Sequence, residues 1–144
     1  MTDIEKSKKT LLSENLTCAV FSGEKSFKSC KRGIAPLVEL IDSGEDFCGA
    51  SVADKAIGKA AALLLVLIGV SEVYATVMSK SAKGVFAAHG IKHTCEIEAD
   101  YIINRAGDGM CPMEAAVLDI DDPEAALFKV RETVKALRAK ESVK

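Results

Sequence analysis

The stretch Ala53-Asp54-Lys55-Ala56-Ile57-Gly58-Lys59-Ala60-Ala61-Ala62-Leu63-Leu64-Leu65-Val66-Leu67-Ile68 decides the fold of this chain. Asp54 has a side chain suited to an N-cap, so a helix is predicted over 56–69 with Asp54 at its start. From Ala60 to Ile68 that helix is apolar on every side. A helix of this kind has no face to give to water and must be covered all round. In a small domain that requires a place between a sheet and a second layer, or a partner subunit closing over it in a homodimer.

The flanking segments supply such a sheet. Within a polar N-terminal segment, 1–13, residues 3–13 are expected to form a short frayed helix. Leu16 to Phe21 alternates as a strand does, Ser22-Gly23-Glu24 is a turn, and Lys25 to Cys30 is the expected hairpin partner. Ile34, Leu37, Val38 and Ile41 fall at helical spacing, and Phe47 to Ala53 reads as extended. Beyond the apolar helix come a β-rich run at Glu72 to Met78, a helix at 80–89 stopped by Gly90, and a strand from Ile91 to Ile97. Residues 98–110 read as a loop. Pro112 suits the first position of a short helix reaching about Leu118. A C-terminal helix over 122–140 turns Leu127, Val130, Val134 and Leu137 to the domain and leaves Arg131, Glu132, Lys135 and Arg138 in water. A hairpin followed by helices and strands in alternation predicts a single domain over 1–144. Its expected architecture is an α/β, three-layer α/β/α sandwich with a mixed sheet.

Composition excludes several classes of function. The 144 residues are 49% hydrophobic and carry 21 acidic against 19 basic side chains, a net charge of −2. A pI near 5.7 provides no electrostatic footprint for nucleic acid or an anionic membrane. The longest apolar stretch, Ala60 to Val70, is shorter than the ~20 residues a bilayer span needs. The first residues, MTDIEKSKKT, lack the apolar core of a secretory signal. The expectation is a cytoplasmic protein. Its five cysteines (Cys18, Cys30, Cys48, Cys95, Cys111) include no C-x-x-C pair, so no zinc finger or ribbon is expected. They read as reduced thiols.

Open α/β sheets place ligands where strands run into helices, which directs attention to three segments. Around Asp54, Lys55, Gly58 and Lys59, an anion would meet free backbone N–H groups, the helix dipole and two ammonium groups. The alternative is that Lys55 and Lys59 are solvated or paired with acids such as Asp54 and Glu45. This is not a Walker A loop, which would need Gly at Ala53 and Ser or Thr at Ala60. In the segment from Asn104 to Glu114, Cys111 falls at an N-cap, a position that favours thiolate. Arg105 is a candidate anion clamp, and Asn104 and Asp108 are candidate orienting groups. Glu114 lies three residues after Cys111, which also suits a plain capping box. Ser79 and Lys83 share a helix face and weakly suggest a Ser/Lys pair, though N-cap and surface roles explain them as well. His89 and His93 are minor candidates as catalytic bases.

Two blocks go beyond generic pattern. Asp54 through Val66, and Tyr101-Ile102-Ile103-Asn104-Arg105 with Cys111-Pro112-Met113-Glu114, resemble the signature blocks of the prokaryotic domain-of-unknown-function family eighteen-ninety-three. Arg32-Gly33-Ile34, Pro36-Leu37, Glu39-Leu40-Ile41 and Asp119 to Pro123 also fit, and the likeness runs over about residues 14–138. The resemblance implies a cytidine-deaminase-like fold and no established reaction. Zinc deaminases of that fold use H-x-E or C-x-E at one helix start and P-C-x-x-C at the next. Ala53-Asp54-Lys55 and Ser79 to Lys83, read as those slots, hold neither thiol nor imidazole, so no metal and no cofactor are expected.

The sequence therefore points to a zinc-independent protein of deaminase-like fold that binds a small anionic or nucleotide-like ligand. Asp54, Lys55, Gly58, Lys59, Asn104, Arg105 and Asp108 are the binding residues, and Cys111 and Glu114 carry any chemistry. The competing reading is a non-catalytic structural or interaction protein acting as a homo-oligomer. Whether the protein is an enzyme stays open.

Overall fold

Alternation along the first strand sorts its side chains between two cores. In β1 (Cys18–Ser22), Cys18 and Val20 point to one face of the sheet and Ala19 and Phe21 to the other. A two-residue turn at Gly23 returns the chain as β2 (Lys25–Ser29), antiparallel to β1. The structure, a computed structural model, describes residues 1–104 and 106–142. The five strands lie in the order β2-β1-β3-β4-β5, with β3 (Ser51–Ile57), β4 (Glu72–Ser79) and β5 (Lys92–Ala99). β1 pairs antiparallel with β3, whereas β3, β4 and β5 are mutually parallel. Parallel neighbours need a long crossover. Helix α3 (Lys59–Ile68) and helix α4 (Lys80–Ala88) provide the two crossovers.

One face of the sheet carries α1 (Asp3–Ser13), which packs on β1, β3 and β4 through Leu11 against Ala19, Ala53 and Tyr74. This helix is more firmly held than its polar composition suggested. Thr2 and Glu5 form a capping box, and the buried Ser7 hydroxyl donates to Ser51 O at 3.1 Å. The opposite face carries the larger core, to which α2 (Ala35–Asp42), α3, α4 and α6 (Pro123–Ser142) contribute. Leu63, Leu64 and Leu65 of α3 are fully buried, each contributing about 1.5–3 kcal/mol relative to exposure. The cover for this apolar helix comes from within the chain, from α2, α4 and α6. Arg131 of α6, expected in water, reaches Asp42 at 2.7 Å. Among the described residues no helix is long and apolar enough to cross a membrane.

The deciding stretch is divided differently from its sequence reading. Gly49 turns the chain with φ +84°, and the strand then runs from Ser51 through Ile57. Asp54 is therefore not an N-cap. It sits in the central strand, opposite Cys18 on β1 and Ala75 on β4. Its Oδ1 accepts the N–H of Ala56, two residues on, at 3.1 Å. That is the local side-chain-to-backbone bond Asp favours at helix starts and turns, here made within a strand. The helix begins at Lys59 rather than at 56, its N-cap moved four residues on from Asp54 to Gly58, and Gly69 is its left-handed C-cap.

Candidate functional site

The C-terminal end of β3, the start of α3 and the Cys111-Pro112 corner meet around a cavity of about 180 Å³. Asp54, Lys55, Ala56, Gly58, Ala60 and Ala61 form one side, Cys111, Met113 and Glu114 the other, and Arg32, Ile34 and Ile102 close it. Five of the nine residues singled out in the sequence thus converge: Asp54, Lys55, Gly58, Cys111 and Glu114. They come from β3, α3's cap and α5 (Pro112–Ala116), which the fold brings together across more than fifty positions of chain.

Asp54 is the unusual group. It is buried; its Oδ1 accepts the Ala56 N–H at 3.1 Å, the Cys18 thiol lies across the ladder, and the adjoining Lys55 N–H is itself bonded to Thr17 O at 3.1 Å. Among the described residues it has no ion-pair partner. Burial pushes its carboxyl up from the ordinary value of 3.8 to about 7, against the opposing pull of those three neighbours. Burial also pushes the Cys18 thiol well above its usual range, and the neighbouring carboxylate adds to the effect. Cys18 is a residue that the sequence reading placed only in a strand. Its signal, a thiol directly across the ladder from a carboxyl, needs the β1–β3 register to be seen.

Glu114 has a different job from the expected capping box. Cys111 is the N-cap of α5, but its side chain makes no capping bond and its own N–H goes to Ile102 O at 2.8 Å. Glu114 instead sends its carboxylate to Lys59 N–H at the start of α3 and, at 3.5 Å, to Ile102 N–H. The α3 N-terminus, read from sequence as an open anion site, is thus met by the protein's own carboxylate, stabilised there by the dipole. Gly58 is required for space: a Cβ there would run into the Glu114 carboxylate and lie 2.9 Å from Ile102 Cγ1. Its φ of −102° makes no conformational demand for glycine.

The other candidates separate. Lys59 lies outside the cavity lining. Its ammonium donates to Leu118 O at 2.9 Å and pairs with Asp121 at 3.1 Å, so its charge is already matched. Asn104 and Asp108 bond to each other at 3.0 Å, and Asn104 Oδ1 accepts from Gly107 N–H at 2.8 Å, closing an exposed turn. Arg105 lies outside the described residues. Ser79 caps α4 by accepting from Ala82 N–H at 3.1 Å, and Lys83 pairs with Glu98 at 3.0 Å. His93 bonds to Ile91 O through Nδ1 and stacks near Phe86. Arg32, passed over as a site residue although it lies in one of the resembling blocks, reaches the cavity together with Lys55.

Helix α3 starts at Gly58-Lys59-Ala60 rather than at Ala53-Asp54-Lys55, and the start of α4 with its cap is Ser79 to Lys83. Neither contains a thiol, an imidazole or a carboxylate, so these residues do not fit a zinc ion.

The profile of the domain of unknown function DUF1893 (TM1506) matches residues 6–134. A solved structure of a DUF1893 family protein (TM1506) from Thermotoga maritima is 30% identical and superposes with a TM-score of 0.84. The match covers 90% of this chain and 88% of that one. No functionally curated protein matches.

Proposed function

This chain belongs to the DUF1893 family, and from that premise we propose that its cavity binds a small anionic, nucleotide-like ligand within a cytidine-deaminase-like, three-layer frame. The order of strands, with an antiparallel hairpin followed by two parallel crossovers and helices on both faces, supports the frame. The observation that carries the binding reading is Asp54. An ionisable group buried without a counter-cation is costly. When such a group lines a cavity with its proton poised near neutrality, the cost is the signature of a working site.

In this reading the parts act as follows. Near pH 7 Asp54 exists partly as the neutral acid, able to donate one hydrogen bond and accept another. That pattern matches the paired acceptor and donor on the edge of an amide or amidine ring. Ile34, Ile102 and Met113 offer apolar contact to such a ring, and Ala60 and Ala61 let it approach the backbone. Arg32 and Lys55 carry the positive charge for an anionic group. Glu114 is a positioning residue, since its carboxylate is spent on Lys59 N–H and Ile102 N–H. Cys111 places a thiol in the lining, where it would meet an electrophilic carbon of the ligand.

Titration calorimetry with a panel of nucleotides and phosphorylated metabolites tests this. Arg32→Ala and Lys55→Ala are expected to weaken any hit about tenfold each, and Asp54→Asn to alter its pH dependence. Lys59→Ala should leave affinity unchanged. If every member of the panel fails to bind, or binds all variants as tightly as the parent, the reading is wrong. One set of contacts favours the alternative of a structural, homo-oligomeric protein. Lys59, Glu114, Asn104 and Asp108 all direct their polar groups into the protein itself. An inert panel, together with a concentration-dependent melting temperature, would select that reading.

A further inference from the structure

The sheet has two edges, and their charges are arranged in opposite ways. At one end β2 (Lys25-Ser26-Phe27-Lys28-Ser29) carries two lysines and no acid. A second copy approaching that edge would meet like charge, the usual defence of an open strand. At the other end β5 (Lys92-His93-Thr94-Cys95-Glu96-Ile97-Glu98-Ala99) starts with a cation and finishes with two acids. It packs on β4 and α4 and is the last strand of the sheet. Lys92, Thr94, Glu96, Ile97 and Glu98 are all exposed, and Ile97 keeps 56% of its surface in water.

We propose that β5 is a self-association edge, on which a second copy of this chain adds antiparallel across a two-fold axis to form a continuous ten-stranded sheet. A two-fold pairs a surface with itself, so a strand that is positive at one end and negative at the other is its own complement when reversed. A register centred on Cys95 sets Lys92 opposite Glu98 of the second copy, twice by symmetry. It also sets Thr94 opposite Glu96 and Ile97 opposite His93. The register centred one residue later would face Glu96 with Glu96 and is disfavoured. In the favoured register Ile97 loses its exposure against the His93 imidazole, which already packs near Phe86 at 5.6 Å. Glu98 also pairs with Lys83 of its own chain through one oxygen and has the second free for Lys92. The interface shares no residue with the lining of the Asp54 cavity and is independent of the ligand reading.

Sedimentation velocity on the full chain across the micromolar range tests the proposal with a charge swap. The parent is expected to show a reversible monomer–dimer equilibrium. Lys92→Glu and Glu98→Lys should each weaken it at least tenfold. An equimolar mixture of the two variants should restore it, because each mutant strand then faces its opposite. Circular dichroism confirms that both variants fold, as the exposure of both positions requires. A parent that stays monomeric at 100 µM overturns the proposal. So does a dimer indifferent to both substitutions, or a mixture no more associated than its components.

Discussion

Replacing Asp54 by Asn removes an ionisation that the fold disfavours, and the consequence can be worked out from its surroundings. Unfolded, this carboxyl titrates near 3.8; folded and buried, it titrates at about 7. Below 3.8 both states are protonated and the group takes nothing from stability. As pH rises above 3.8 the unfolded chain releases the proton while the folded one keeps it, so stability falls. The loss is complete once pH exceeds the folded value. At ~1.36 kcal/mol per pH unit over roughly three units, ionised Asp54 destabilises the fold by about 4 kcal/mol.

Between about pH 4.5 and 8.5 the parent should therefore lose about 3 kcal/mol that the Asp54→Asn variant does not. Urea unfolding at closely spaced pH values measures both proteins. Subtracting one curve from the other cancels the contributions common to both proteins. Asn retains the acceptor for Ala56 N–H, so its remaining effect is a constant offset. With a urea slope of roughly 1.5–2 kcal/mol per molar, the difference in midpoints should shift by about 2 M in favour of the variant over that range. A difference that does not change with pH would refute the reasoning, because Asp54 would then ionise as freely folded as unfolded.

Three further outcomes are expected. Glu114→Gln should cost about 1–3 kcal/mol in urea unfolding, since Lys59 N–H and Ile102 N–H lose a charged acceptor. Gly58→Ala should destabilise by a similar amount through collision with the same carboxylate, and combining it with Glu114→Ala should cost less than the two separate losses added together. Additive losses would mean that the two positions do not touch. Under native maleimide labelling followed by mass spectrometry, the exposed Cys30 and Cys48 and the half-buried Cys111 should react well ahead of Cys18, which is fully buried against Asp54. Labelling of Cys18 as fast as Cys30 would contradict the closed packing of β1 on β3.

Much of the architecture could be read from local pattern because local chemistry produces it. The Ser22-Gly23-Glu24 turn, the Glu72–Met78 strand, the Gly90 stop, Pro112 at a helix start and the apolar helix requiring cover all depend on neighbours a few positions apart. These features are present in the structure within a residue or two. The boundary of β3 could not be read in this way. Ala53-Asp54-Lys55-Ala56-Ile57 has an N-cap signal followed by good helix formers, and only pairing with β1 and β4 on both sides makes it a strand.

By itself, then, the sequence determined the class of fold, the order of its elements and the segments where a site would form, since hydrophobic period, turn residues and composition act along the chain. Tertiary structure decided which side chains remain available there. Lys59 and Glu114 were read as site residues, yet folding gives Lys59 to Asp121 and Leu118 O and turns Glu114 onto the start of α3, contacts more than fifty positions away along the chain. Asp54 was read as a cap, and folding buries it beside Cys18 with its proton held to about pH 7. Desolvation and pairing across space depend on what surrounds a group in three dimensions, and no local pattern encodes that.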